Sequence, residues 1–112
     1  MGELRIRPRE LGLDELPELG VLLQFSSGGS RACRESLNRL AQAGAHRAGR
    51  VFVVDIAAHR TGGLQTRLGV RHTPAVYLLD ADGVVRQYWA RPPELDELDS
   101  ALGELAEPAA VG

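Results

Sequence analysis

Val21-Leu22-Leu23-Gln24-Phe25-Ser26-Ser27-Gly28-Gly29-Ser30-Arg31-Ala32-Cys33-Arg34 leads an apolar run through a loop of small residues into a helix start. Val21 to Phe25 is nearly all apolar, which predicts a central strand covered on both faces. Ser26 to Gly29 predicts a loop. Ser30 predicts a helix N-cap whose hydroxyl accepts a backbone N–H, worth about 1 kcal/mol. Cys33, Leu37, Leu40, Ala41 and Gly44 recur at spacings of three and four. They predict a buried stripe on that helix, with Cys33 in its first turn.

Working outward, Arg50 to Ile56 contains the β-branched run Val51-Phe52-Val53-Val54 and predicts a second buried strand. Leu64, Leu68 and Val70 predict a short helix. Ala75 to Leu79 and Val84 to Trp89 flank Asp80-Ala81-Asp82-Gly83, an antiparallel hairpin in which Gly83 supplies the positive φ of a tight turn. Pro92-Pro93 introduces a closing helix, with Glu94, Asp96 and Glu97 at its positive end and Leu95, Leu98, Leu102 and Leu105 on one face. Upstream, Leu4 to Arg7 alternates as a short edge strand stopped by Pro8. A helical turn is expected between Arg9 and Leu19, interrupted by Pro17 and closed by Gly20. Residues 106–112 read as a frayed tail. The order predicts one α/β domain over 1–112, with an N-terminal strand and helix in 1–20 and a central mixed β-sheet flanked by helices on both faces.

The 112 residues carry a formal net charge of −2. That balance provides no global field to gather nucleic acid or anionic lipid, so neither is an expected partner. All 13 basic side chains are arginine, which fits the codon bias of a GC-rich genome. Met1 to Pro8 lacks the basic-then-apolar pattern of a secretory leader, and no apolar run approaches a membrane span, so a cytoplasmic location is expected. Cys33 is the one cysteine, which forbids an internal disulfide. Neither a metal nor another cofactor is expected.

The element order and two local signatures resemble the thioredoxin family over nearly the whole chain. The first signature is the Val21 to Arg34 stretch, similar to the segment that runs from the central strand through Cys-x-x-Cys into its helix. The second is Leu68-Gly69-Val70-Arg71-His72-Thr73-Pro74-Ala75-Val76, similar to the segment that ends in a cis-proline and enters the hairpin. The resemblance implies the thioredoxin fold and a cis Thr73-Pro74 bond facing the helix start. It further implies that an extended peptide docks beside Thr73 and Pro74, with Arg31 and Ala32 of the motif also contacting the bound substrate.

Three positions depart from that pattern. Ser30 replaces the cysteine that in the family attacks a substrate disulfide, Gln24 falls where many members keep a buried acid, and Gly29 falls where tryptophan is common. Disulfide exchange needs an attacking thiolate and a second thiol to release the mixed disulfide, and an alkoxide is too scarce at neutral pH to substitute. His46, His59 and His72 lie in no triad pattern that would activate Ser30 for hydrolysis.

The residues therefore point to a thioredoxin-like protein with an atypical Ser30-x-x-Cys33 site, impaired in dithiol exchange, that binds a partner protein or extended peptide beside Thr73 and Pro74. An alternative is monothiol chemistry at Cys33. Ser30-x-x-Cys33 also resembles the Thr/Ser-x-x-Cys motif of peroxiredoxins, although Ser26 stands where their proline is expected. Such a site would form a sulfenic acid and require an external thiol, for example a low-molecular-weight one. Were serine at position 30 a laboratory replacement of cysteine, ordinary thiol-disulfide oxidoreductase activity would be the expectation. Arg31, Arg34 and the helix start favour a Cys33 thiolate, whereas burial opposes it.

Overall fold

The computed structural model describes residues 4–58 and 63–106. Four strands form one sheet in the order β2-β1-β3-β4: β1 at Gly20–Ser26, β2 at Val51–Ala57, β3 at Ala75–Asp80 and β4 at Val85–Trp89. β1 pairs parallel with β2, and Gln24 stands opposite Asp55. On its other side β1 pairs antiparallel with β3, which pairs antiparallel with β4. Helix α1 spans Arg31–Ala45, α2 spans Gly63–Leu68 and α3 spans Leu95–Ala106.

Period-two alternation along β1 and β3 divides the core between two faces. Leu22, Val76 and Leu78 pack toward Leu40 and Ala43 of α1 and Leu98, Ala101 and Leu102 of α3. Val21, Leu23, Phe25, Tyr77 and Leu79 pack the opposite way, against Ile6, Leu11 and Leu64. Gly20 is required by close approach, since a Cβ there would lie 2.3 Å from the Leu79 carbonyl oxygen. Helices thus cover both faces of a mixed sheet. No helix among the described residues is long and apolar enough to cross a membrane.

Several local expectations are corrected. Leu4 to Arg7 does not form a strand: only an isolated Arg5–Val84 bridge joins it to the hairpin. Ile6 N–H donates to the Gly83 carbonyl at 2.8 Å and Val85 N–H to that of Leu4 at 3.0 Å. The expected helix in 9–19 shrinks to a 3-10 turn at Pro8–Leu11, ended by Gly12 at φ 75°. β2 lies at the sheet edge, so only Val51 of that strand is buried, and Phe52 is 39% exposed. Its β-branched run reports strand propensity, not burial. On α1, Ser36 and Ala43 are buried and Ala41 faces outward, because a 3.6-residue repeat carries position 41 off the stripe. Val70 follows the end of α2 and is half-buried in the second core cluster. Ala106 closes α3 and is no part of a tail; the rest of the expected tail, 107–112, lies outside the described residues, as does His59.

Candidate functional site

The β1–α1 connection sets the site. β1 ends at Ser26, the chain turns through Gly29 at φ 77°, and Ser30 enters α1 on extended backbone. The Ser30 Oγ accepts the Cys33 N–H at 3.2 Å, the N-cap bond that the sequence predicts. A cavity of about 420 Å3 opens here, and Ser27, Ser30, Cys33, Arg34, Asp55 and Ala57 are in its wall. Cys33 is 4% exposed, seated in that wall with its thiol free.

The Thr73–Pro74 bond is cis, and Pro74 is buried at the start of β3. This places Thr73 against the β1–α1 loop, where its hydroxyl meets that of Ser27 at 2.9 Å. Each hydroxyl has one hydrogen, so whichever of the two accepts keeps its own for the sulfur. Burial pushes the Cys33 thiol up. Hydrogen bonds from the Ser30 hydroxyl, from the Ser27 N–H and from whichever of the Ser27 and Thr73 hydroxyls does not donate to the other outweigh it, leaving the thiol below its ordinary value.

The expected arginine contribution is not what lowers it. Arg31 is 86% exposed and pairs with Glu35 at 3.3 Å, while Arg34 donates to the Gly29 carbonyl at 3.2 Å. Arg31 and Ala32 are both exposed at the start of α1, and neither is in the cavity wall. His72 is exposed, and His46 caps the far end of α1, 3.2 Å from Asp99. No group of three or more His, Cys, Asp or Glu side chains is placed to hold a metal among the described residues.

Gln24 is fully buried beneath the site. Its Nε2 donates to Ser26 Oγ at 2.8 Å and to the Cys33 carbonyl at 3.0 Å, and its Oε1 has no partner among the described residues. Ser26 Oγ in turn donates to Asp55 Oδ1. A polar chain thus runs from under Cys33 to a carboxylate in the cavity wall. Sequence reasoning missed Ser26, Ser27 and Asp55. The available signal was Asp55 itself, an acid inside the run from Val51 to Ile56.

No family model and no curated protein matches the chain. Solved structures do match. A thioredoxin-like protein from Clostridium perfringens aligns with a TM-score of 0.73 at 14% identity, covering 90% of this chain and 79% of that one. A mutant thioredoxin from Halobacterium salinarum aligns with a TM-score of 0.70 at 19% identity, covering 89% and 83%. Chloroplastic thioredoxin z aligns with a TM-score of 0.69 at 14% identity, covering 94% and 95%. The chain has the thioredoxin fold.

Proposed function

We propose that this chain is a thioredoxin-like module that binds an extended segment of a partner protein beside Thr73 and Pro74, with dithiol-disulfide exchange impaired by Ser30. The observation that carries the reading is the use to which Ser30 is put. Its oxygen accepts the Cys33 N–H as a helix cap, and among the described residues no base is hydrogen-bonded to it to make it a nucleophile. One thiol cannot both attack a disulfide and resolve the product. The docking side of the site retains a cis-proline, and Thr73 is fixed by Ser27. A lone cysteine with no partner for an internal disulfide suits the reducing cytoplasm.

The test is capture of partner proteins on the immobilised chain in reducing buffer. The unaltered chain is expected to retain a reproducible set, and Thr73→Arg, which places a long charged side chain in the groove, is expected to lose it. Equal retention by both contradicts the reading.

A second reading has its own support, since hydroxyls from two segments converge on the Cys33 sulfur. In it the thiolate attacks a peroxide, an S–O bond forms as the O–O bond breaks, and the departing hydroxide takes up a proton. An external thiol then attacks the sulfenic acid, forming a mixed disulfide and releasing water, and a further thiol restores Cys33. Competition kinetics with hydrogen peroxide decide it. Rates well above those of a free thiol support this chemistry, and free-thiol rates remove it.

A further inference from the structure

β2 ends the sheet, and no strand among the described residues pairs with its outer side. The Arg50 carbonyl accepts the Leu19 N–H at 2.9 Å, and the Ala58 N–H donates to the Ser26 carbonyl at 2.7 Å. Residues 50 and 58 thus turn their backbone groups toward β1, so by the two-residue repeat Val51, Val53, Asp55 and Ala57 turn theirs outward. Val51 is buried, and the Ala57 carbonyl is taken by Gln65 Nε2 at 3.3 Å. The open part of the edge is therefore Val53 to Asp55. The backbone N–H and C=O groups of Val53 and Asp55 have no partner among the described residues.

Sheets commonly blunt an edge with charged side chains, proline or a bulge, or cover it. The β4 edge is treated in that way: Arg86 and Gln87 are exposed, pairing with β3 is irregular between Leu78 and Leu79, and Arg5 bridges to Val84. β2 pairs with β1 in unbroken register and contains no arginine, proline or glycine. Its one charge, Asp55, accepts from Ser26.

Val53 packs on the α1 side of the sheet, whereas Val54 and Ile56 pack on the other. Alternation puts the exposed Phe52 on the face of Val54 and Ile56. On that face opens a cavity of about 510 Å3, with Leu11, Val54, Ile56 and Leu64 in its wall. One face of one strand therefore carries a protruding ring at Phe52 and a hollow at Ile56. Identical antiparallel strands complement such a face, because a two-fold axis at Val54 sets Phe52 of each copy beside Ile56 of the other.

We propose that two copies of this chain pair through β2, antiparallel about Val54, each seating Phe52 in the other's cavity. Val53 and Asp55 of the two copies exchange about four backbone hydrogen bonds. Val54 meets Val54 and Asp55 stands opposite Val53, so no like charges face each other. The second copy is the occupant because it supplies both the edge that is unpaired and the ring that fills the hollow. A ladder this short places the dimer at the weak end of protein interfaces, with dissociation at about 10–100 µM. The pairing is separate from peptide docking at Thr73 and Pro74.

The experiment is sedimentation equilibrium of the full chain in reducing buffer across that concentration range. The expected result is a monomer–dimer equilibrium. Phe52→Asp, which brings a carboxylate beside Glu10 and Asp55 of the other copy, should weaken it at least about tenfold. Val53→Pro should do the same, since it removes an outward N–H and leaves the ladder with β1 intact. Tyr88→Asp, at the exposed ring of β4, should leave it unchanged. On oxidation Val54→Cys should cross-link into a dimer, because the facing Cα atoms lie about 4.5 Å apart, and Phe52→Cys should not; an unfolded chain would not distinguish two neighbouring positions. A chain monomeric throughout, self-association untouched by Phe52→Asp, or equal cross-linking of the two cysteine variants overturns the proposal.

Discussion

Ser27 and Thr73, 46 residues apart in the chain, place their hydroxyl oxygens 2.9 Å from each other beside the one thiol of the molecule. That contact joins the loop after β1 to the start of β3 and leaves one of the two hydroxyls its hydrogen for Cys33. Hydrogen bonds at the site lower the Cys33 thiol pKa, while the Ser30 hydroxyl also serves as the cap of α1.

Ser30→Ala should destabilise the chain by about 1 kcal/mol through loss of the cap and should raise the Cys33 thiol pKa. The pH dependence of alkylation with iodoacetamide measures the second effect. Because the folded value lies below the unfolded one, thiolate-linked stability is fully present above the unfolded pKa and is lost as pH falls through the folded one. The stability gap between the unaltered chain and Ser30→Ala should therefore widen in alkaline buffer and narrow toward the cap contribution at lower pH. A gap independent of pH would dissociate Ser30 from the thiol.

Asp80 organises the β3–β4 turn. Its Oδ1 accepts the N–H groups of Asp82 at 2.9 Å and Val84 at 3.0 Å, and its Oδ2 accepts Arg86 Nε at 2.7 Å. Burial pushes its pKa up, and hydrogen bonds from Val84, Arg86 and Asp82 reverse that and lower it. The associated stability is present above the ordinary aspartate pKa of about 3.9 and disappears as pH falls through the folded value. Asp80→Ala should cost about 2–3 kcal/mol at neutral pH and flatten the acid limb of the stability profile. Urea unfolding across pH checks both.

Gly83 combines a φ of 83° with a backbone so close that a Cβ would meet the Ile6 carbonyl oxygen at 2.2 Å. Gly83→Ala should cost more than the 0.5–1 kcal/mol or so of an ordinary glycine substitution, because the N-terminal segment must shift away from the hairpin. Thermal unfolding measures the loss. A stability equal to that of the unaltered chain would mean that the Ile6–Gly83 contact contributes nothing.

Much of this was legible in the sequence, for reasons that differ from element to element. The uninterrupted apolar run of β1 and the Ser30 cap are local signals, and both are found at the predicted residues. Burial of β2 was not legible, because a β-branched strand reads alike at the centre and at the edge of a sheet. The role of Leu4 to Arg7 escaped as well: its alternation comes from one buried isoleucine between arginines that line a cavity, not from strand pairing. Cys33 and Ser30 were readable as a pair at i and i+3. Thr73 was implied by the resemblance at the β3 entry, whereas Ser27 and Asp55 join the site through the β1–α1 turn and the sheet register, which no local pattern records.

The direct test of the central claim is reduction of insulin disulfides by the unaltered chain with dithiothreitol as electron source. The account predicts a rate indistinguishable from dithiothreitol alone, and catalysed turnover by the chain as it stands would contradict it.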